Sequence, residues 1–166
     1  MSPPSFVVLP VREQHIDGFR AALDSVARER KYLALLEAPP EADTQKYVRQ
    51  NIAGRVPHFV ALADGKVIGW CDVALLPWAT QRHSGVLGMG VIDSHRGHGV
   101  GRALLDATLR AAWEKGLTRV ELTVRSDNEP AKRLYESVGF VTEGLRKRHM
   151  YIDGQFIDSW LMALLP

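Results

Sequence analysis

The stretch that decides the fold is VIDSHRGHGVGRALL, residues 91–105. Its start is apolar like a buried strand, its middle carries three glycines, and its end has the spacing of an amphipathic helix. Because glycine has no Cβ, Gly97, Gly99 and Gly101 allow the backbone to approach a ligand closely. The N–H groups and the positive dipole end of the following helix attract an anion. The stretch therefore predicts a pyrophosphate-binding site.

Two other nucleotide sites with glycine-rich loops fit this stretch poorly. An ATP-binding loop of the Gly-Lys-Ser/Thr type needs a lysine and a hydroxyl after its last glycine, but Arg102 and Ala103 follow Gly101. A dinucleotide-binding fingerprint places its third glycine three residues after the second and an acidic residue at the end of the next strand. Here the second interval is two residues and the next strand ends at Val124-Arg125, so both alternatives are disfavoured.

Outside this stretch, the chain alternates short apolar runs with amphipathic segments, which is typical of an α/β domain. Asp64-Gly65 and Asp153-Gly154 each separate two such runs and predict tight hairpin turns. No internal repeat or Gly- and Ser-rich linker interrupts the chain, so we expect one domain over residues 1–166. Strands are predicted over residues 6–9, 58–62, 67–70, 86–92, 120–124 and 156–164, with another starting at Phe140, and helices over residues 13–36, 44–53, 99–115 and 128–138.

The composition is that of an ordinary globular protein, with 46% hydrophobic and 24% charged residues. A net charge of +2 is too small to favour nucleic acid as a partner. No apolar stretch approaches the roughly 18 residues of a membrane span, and residues 1–10 lack the pattern of a secretory signal. Cys71 is the only cysteine, and the six histidines have no metal-ligand spacing. We expect a cytoplasmic protein with no metal and no membrane contact.

The glycine segment resembles the acetyl-CoA loop of the GNAT superfamily of N-acetyltransferases. That loop has the pattern Arg or Gln, two residues, Gly, one residue, and Gly or Ala, which Arg96, Gly99 and Gly101 match. The similarity covers residues 87–164 well and the first third of the chain only by the order of its elements. It implies a single α/β domain with a mixed, mostly antiparallel, twisted sheet flanked by helices. The further matching residues are LTVRSDN at 122–128, Ala131, Leu134-Tyr135-Glu136 and Gly139-Phe140.

The resemblance also implies which residues bind acetyl-CoA. The strand backbone at Met89, Gly90 and Val91 would bind the pantetheine arm, to which Asn128 would also hydrogen-bond. Tyr135 would lie beside the thioester sulfur as the general acid. The residues implied at the pyrophosphate loop are Arg96, Gly97, His98, Gly99, Val100, Gly101 and Arg102.

Several of these residues also have simpler structural interpretations. Asn128 precedes a helix and could serve only as its cap, and Arg96 could be a solvated loop charge. Tyr135 has helical spacing to Ala131 and could be a core residue. Cys71 has no neighbouring sequence signal for an acyl-enzyme nucleophile, so we expect it to pack as a small apolar residue.

The general base stays unassigned at the level of sequence. Removing a proton from a lysine-like ammonium at pH 7 costs roughly 4–5 kcal/mol, so a base should assist the reaction. Relatives that acetylate protein N-termini often carry a glutamate two residues before the Arg of the Val-Arg pair, where this chain has Thr123. The remaining candidates are His83, Glu29, Asp72 and water.

These features lead to one functional hypothesis and one alternative. The resemblance implies an acetyl-CoA-dependent N-acetyltransferase, an acyltransferase in which a primary amine of a small molecule or protein attacks the thioester directly in a ternary complex. The alternative is a non-catalytic acyl-CoA sensor, which would not need the Tyr135 hydroxyl. The residues do not specify the amine acceptor, and they leave open whether the chain forms a homodimer.

Overall fold

A seven-stranded sheet with the order β1-β2-β3-β4-β5-β7-β6 organises the chain in a computed structural model, which describes residues 5–166. Residues 1–4, the start of the segment considered for a secretory signal, lie outside this range. Every neighbouring pair of strands is antiparallel except β4 and β5, which are parallel. The strands are β1 (Val7–Pro10), β2 (His58–Ala63), β3 (Lys66–Leu75), β4 (Ser84–Val91), β5 (Arg119–Arg125), β6 (Val141–Ile152) and β7 (Gln155–Leu164).

In the described part of the chain, residues 5–166, four α-helices cover the two faces of the sheet. They are α1 (Ile16–Arg28), α2 (Glu41–Ala53), α3 (Val100–Glu114) and α4 (Glu129–Val138). The buried residues of α1 and α2 form one core cluster with Val60 and Trp70, and those of α3 and α4 form another with Cys71 and Val73. None of the helices in residues 5–166 is long and apolar enough to cross a membrane.

Strand β3 separates these two cores because successive side chains of a strand point to opposite faces. Trp70 lies on the α1 and α2 face, whereas Cys71 and Val73 lie on the α3 and α4 face. Asp72 therefore lies on the same face as Trp70, beneath α1 and α2. This register determines which chemistry each face of the sheet can support.

Both predicted hairpin turns are confirmed. Asp64 and Gly65 have φ values of 49° and 74°, and Asp153 and Gly154 have φ values of 50° and 78°. Two consecutive residues with positive φ form the turn whose twist matches that of antiparallel strands, and Asp-Gly is a preferred pair for it. The first turn connects β2 to β3, and the second connects β6 to β7.

The helix predicted over residues 13–36 is wrong at its C-terminal end, because α1 ends at Arg28. Arg30 has a left-handed backbone with φ 59°, which a continuing right-handed helix does not allow. Tertiary bonds hold this break: Nη1 of Arg125 donates to the Arg30 carbonyl at 2.8 Å, and the Ala38 N–H donates to Asp24 Oδ1 at 2.9 Å. Residues 29–40 form a loop that returns across α1 to α2.

The steric demands of two strand glycines give a test of the packing. A Cβ at Gly90 in β4 would lie 2.3 Å from the buried Trp70 ring, whereas a Cβ at Gly144 in β6 would meet nothing within 4 Å. We expect Gly90→Ala to lower the free energy of unfolding by roughly 1–3 kcal/mol through overpacking. The matched change Gly144→Ala should alter it by less than about 1 kcal/mol. Urea denaturation measures both, and equal effects would contradict the packing at Gly90.

Candidate active site

The candidate site begins where β4 and β5 diverge. These strands pair only over residues 84–86 and 119–121. Farther along, β4 continues to pair with β3, and β5 pairs with β7. The edge of β4 at residues 87–91 therefore faces β5 without a ladder between them, and we call this gap the wedge. Met89, Gly90 and Val91, the residues implied to bind a pantetheine arm, lie on its open edge.

The loop after β4, residues 92–99, which we call the glycine loop, brings the start of α3 to the wedge. A Cβ at Gly101 would lie 3.2 Å from Leu134 of α4 and 3.5 Å from the Met89 side chain, so α3 begins between these two residues. Val100 is buried in the core and anchors this first turn. His98 is exposed, and Arg102 pairs along the helix with Asp106 at 3.0 Å.

The N-terminus of α3 offers backbone donors to a ligand. The Ala103 N–H donates to the Gly99 carbonyl at 3.1 Å, so the N–H groups of the preceding helical residues have no acceptor within the helix. Among the described residues, no side chain forms a capping hydrogen bond at the N-terminus of α3, where Gly99 is the N-cap residue. Gly97 and Gly99 have φ values of 75° and 84°, and a Cβ at either would meet nothing within 4 Å. Open space and unpaired donors together make a suitable cradle for an anion.

Arg96 connects the loop after β4 to Val91 and Glu29 and is not a solvated loop charge. Its Nε donates to the Val91 carbonyl and its Nη1 donates to Glu29, both at 2.8 Å, and its guanidinium lies 4.6 Å from the centre of the Tyr32 ring. The pairing with Arg96 lowers the pKa of the Glu29 carboxyl. Glu29 is thus held ionised against a cation, which makes it a poor general base.

Asn128 is placed as the cap of α4. Its Oδ1 accepts a hydrogen bond from the Ala131 N–H at 3.3 Å. The capping interpretation is therefore confirmed for the oxygen atom. The amide group of the same side chain keeps two N–H donors. A role as a hydrogen-bond donor to a ligand stays a prediction.

Tyr135 and Cys71 lie together in the core beneath α3 and α4. The Tyr135 ring contacts Phe140 edge-on, with 5.8 Å between the centroids. Burial, with a smaller effect of Cys71, raises the pKa of the Tyr135 hydroxyl, which keeps its proton at neutral pH. Burial also raises the pKa of the Cys71 thiol, and the residue is fully buried. Cys71 is therefore a packing residue, as expected, and not a thiolate nucleophile.

His83 lies directly before β4, four residues ahead of the strand edge that borders the wedge. Its carbonyl accepts hydrogen bonds from the Thr118 and Arg119 N–H groups at 2.9 and 3.2 Å, at the start of β4. The eight residues of β4 separate it from the glycine loop by roughly 25 Å at the rise of a strand. His83 is not among the residues that line the cavity described below, and a role as the general base stays a prediction.

Asp72 lies in a buried polar cluster under α2. Its Oδ2 accepts a hydrogen bond from the Tyr47 hydroxyl at 2.8 Å, and His58 Nε2 lies 4.0 Å away. Burial raises the pKa of the Asp72 carboxyl to about 6, although the Tyr47 hydrogen bond acts in the opposite direction. Burial lowers the pKa of His58 to about 4, so this histidine is neutral and forms no salt bridge at pH 7.

A cavity of about 460 Å³ opens beside Asp72 and reaches β4. It connects to the wedge through Met89, which belongs to the lining of the cavity and also lies beside Gly101. Sequence reasoning missed this cavity because its loop residues were predicted to be helical. The lining residues are Phe19, Leu23, Leu33, Ala34, Leu35, Pro39, Asp43, Thr44, Tyr47, Trp70, Asp72, Gly88 and Met89.

The side chains offer no evident metal site. Within residues 5–166, no group of three or more His, Cys, Asp or Glu side chains is arranged to hold a metal ion. The chemistry available at the wedge and the cavity is thus backbone hydrogen bonding and the Asp72 carboxyl, while the protonated Tyr135 hydroxyl lies in the core beneath α3 and α4.

Comparison with known proteins agrees with this arrangement. The L-amino acid N-acetyltransferase AaaT of Escherichia coli is 26% identical over 155 residues, which cover 92% of this chain and 95% of that protein. The N-alpha-acetyltransferase RimI of Mycobacterium tuberculosis is 37% identical over 118 residues, or 68% of this chain and 69% of that protein. The structure of yncA from Salmonella typhimurium with its cofactor acetyl-CoA has a TM-score of 0.90 at 17% identity, covering 96% of this chain and 93% of that one.

The last of these similarities confirms the predicted fold class, a single α/β domain with a mixed, mostly antiparallel sheet. The Acetyltransferase (GNAT) family matches residues 21–140, which include α2, the Asp72 strand, the wedge, the glycine loop and α4. The chain belongs to the GNAT acetyltransferase family.

Proposed function

We propose that this protein transfers an acetyl group from acetyl-CoA to a primary amine by direct attack in a ternary complex. The observation that carries the proposal is the wedge with the uncapped start of α3 beside it. Acetyl-CoA combines a pyrophosphate, which fits backbone N–H groups at a helix start, with an amide-bearing arm, which fits an open strand edge. The space at Gly97 and Gly99 leaves room for the pyrophosphate.

The proposed binding roles follow this division. The edge at Met89, Gly90 and Val91 would hydrogen-bond the pantetheine amides, and the Asn128 amide would donate to the same arm. The backbone from Gly97 to Arg102 would hold the pyrophosphate, with Arg96 fixing the loop between β4 and Glu29. Arg96 would thus act by positioning the loop and not by contacting the phosphates.

The reaction requires one proton to be removed and one to be supplied. The amine nitrogen bonds to the acetyl carbon while the carbon–sulfur bond breaks, and the thiolate leaves. Tyr135 would protonate this sulfur, because its hydroxyl is protonated at neutral pH. Asp72 would accept the proton of the ammonium, directly or through water. With a pKa of about 6, Asp72 is ionised at pH 7 and is a stronger base than an ordinary carboxylate.

Asp72 would provide the carboxylate that is missing at position 123, where this chain has a threonine and relatives that acetylate protein N-termini often carry a glutamate. Thr123 is exposed on β5, whereas Asp72 lies on β3 beside the cavity that adjoins the wedge. A non-catalytic acyl-CoA sensor would use the wedge but would gain nothing from an ionisable group at this buried position. The Asp72 cavity therefore favours an enzyme over a sensor.

A pair of asparagine substitutions at the two ends of α3 tests the pyrophosphate site. Gly99 and Gly116 both have positive φ, and neither has an atom within 4 Å of an added Cβ. Asparagine tolerates this backbone region, so both variants should fold. We expect Gly99→Asn to weaken acetyl-CoA binding at least about tenfold, since the new side chain enters the pyrophosphate space. Gly116→Asn should bind normally in calorimetric titration; equal affinities would exclude the loop from the site.

Removing the Tyr135 hydroxyl tests the general acid. Tyr135→Phe keeps the ring packed against Phe140, so turnover should fall by roughly 10²–10⁴, with the lower end expected for a thiolate leaving group, and acetyl-CoA affinity should change little. Tyr151→Phe, the same change at an exposed tyrosine, should leave the rate unchanged. Release of the CoA thiol, with the best acceptor from a screen of amines, is the readout. Wild-type turnover in Tyr135→Phe would mean that solvent protonates the thiolate.

The pH dependence of the Asp72→Asn variant tests the general base. The plot of wild-type kcat/KM against pH should bend near pH 6, because Asp72 ionises there. The Asp72→Asn variant should lack this bend, and its rate should be roughly 10²-fold lower. Stability gives an independent readout. The pKa of Asp72 is higher in the folded state than in the unfolded chain, so this carboxyl stabilises the fold at pH values below its unfolded-state pKa and loses this contribution as the pH rises through 6. Asp72→Asn should therefore unfold at a higher temperature than wild type at pH 8 but not at pH 4.

The same change at Asp43, an exposed carboxylate of the same cavity, is the control for that experiment. Asp43→Asn should keep the bend near pH 6. A bend that persists in Asp72→Asn would assign the titration to another group.

A further inference from the structure

The Asp72 cavity has a mostly apolar lining. Phe19 and Leu23 of α1 and Trp70 of β3 are buried residues that form its inner side. Leu33 and Leu35 of the loop after α1 form the outer side. The volume of about 460 Å³ is within the usual range for small-molecule sites, roughly 300–1,000 Å³. An occupant of this cavity gains most by burying an apolar body.

The polar side chains of the cavity are left with acceptor capacity only. The Thr44 hydroxyl donates to the Pro40 carbonyl at 3.3 Å, and the Tyr47 hydroxyl donates to Asp72 at 2.8 Å. Both hydroxyl protons are thus used within the protein. The carboxylates of Asp72 and Asp43 still have oxygen atoms that can accept hydrogen bonds. A complementary ligand must bring the donors and a positive charge.

The cavity offers no counter-charge to an anionic ligand group. Its lining, within the described part of the chain, includes no Lys, Arg or His side chain. Of two arginines in the adjacent elements, Arg96 is held by Glu29, and Arg20 donates to the carbonyl of the lining residue Pro39 at 2.9 Å without itself lining the cavity. A carboxylate in this cavity would face Asp72 and Asp43 without a cation in the lining, and repulsion between like charges disfavours its binding.

We propose that the acetyl acceptor is a primary amine on an apolar aromatic or branched alkyl body, without a carboxylate beside the amine; this rests on the acetyl transfer proposed above. The ammonium group pairs with Asp72, and the apolar body packs against Phe19, Trp70 and the residue 29–40 loop. Met89 then places the amine next to the wedge. This class of acceptor differs from the free amino acids named for the Escherichia coli relative.

Three acceptors test whether the carboxylate, and not the shape of the aromatic body, decides which amine the enzyme uses. 2-Phenylethylamine, L-phenylalaninamide and L-phenylalanine share the aromatic body, but only the last carries a carboxylate. At saturating acetyl-CoA, we expect kcat/KM for 2-phenylethylamine to exceed that for L-phenylalanine by roughly 100-fold, with the amide recovering most of the difference. A higher kcat/KM for L-phenylalanine, for spermidine or for a peptide N-terminus would overturn the proposed acceptor class and leave acetyl transfer intact. Absence of turnover with every amine would overturn both.

A charge reversal in the cavity gives the second test. Asp43 and Glu41 are exposed acids in the first turn of α2, but only Asp43 lines the cavity. Asp43→Lys should lower the preference for 2-phenylethylamine over L-phenylalanine at least about tenfold, because it supplies a cation for the carboxylate. Glu41→Lys carries the same change in net charge and in the helix dipole interaction and should leave the preference unchanged. An unchanged preference in Asp43→Lys, or equal shifts in both variants, would overturn the charge argument.

Discussion

The divergence of β4 from β5 after three parallel residue pairs is the constraint on which the rest of the structure depends. It leaves a length of strand backbone without a neighbour in the interior of a sheet, where unpaired N–H and C=O groups are costly. The three pairs between β4 and β5 keep the sheet continuous, while β3 pairs with β4 over residues 85–91 and β7 pairs with β5 over residues 120–125. The helices that cover the opening, α3 and α4, approach closely at Gly101 and Leu134. An extended molecule with amide groups is the natural complement to such an opening.

Strand β3 places two adjacent residues in opposite chemical environments. Cys71 faces the apolar core under α3, where its thiol is protonated and inert, whereas Asp72 faces a cavity that holds a carboxylate. A one-residue shift in register would exchange these environments. The carboxylate is not placed there for stability, because a buried charge with one hydrogen bond and a neutral histidine nearby destabilises the fold at neutral pH. Such a cost is expected at functional sites.

Local chemistry explains which features were predictable from the sequence. The two Asp-Gly turns, the positive φ values of Gly97 and Gly99, and the start of α3 follow from the residues at those positions. The end of α1 at Arg28 does not, because two hydrogen bonds between residues distant in sequence fix the break: Arg125 donates to the Arg30 carbonyl, and the Ala38 N–H donates to Asp24.

The same distinction applies to the site. Tyr47 and Asp72 are 25 residues apart, and Arg96 and Glu29 are 67 apart, so no local pattern could pair them.

The loop of residues 29–40 is held by hydrogen bonds at both ends, and Tyr32 between them packs against Arg96. Its start is fixed by Arg30, which pairs with Asp153, and its end is fixed by the bond from Ala38 to Asp24. Between these points, Leu35 and Leu36 are exposed. Substitutions at Leu35, an exposed residue of the cavity lining, can reshape one side of the cavity while keeping the contacts of Glu29 and Tyr32 with Arg96. The architecture thus separates a portion of the chain that must be retained from a portion in which new specificities can evolve.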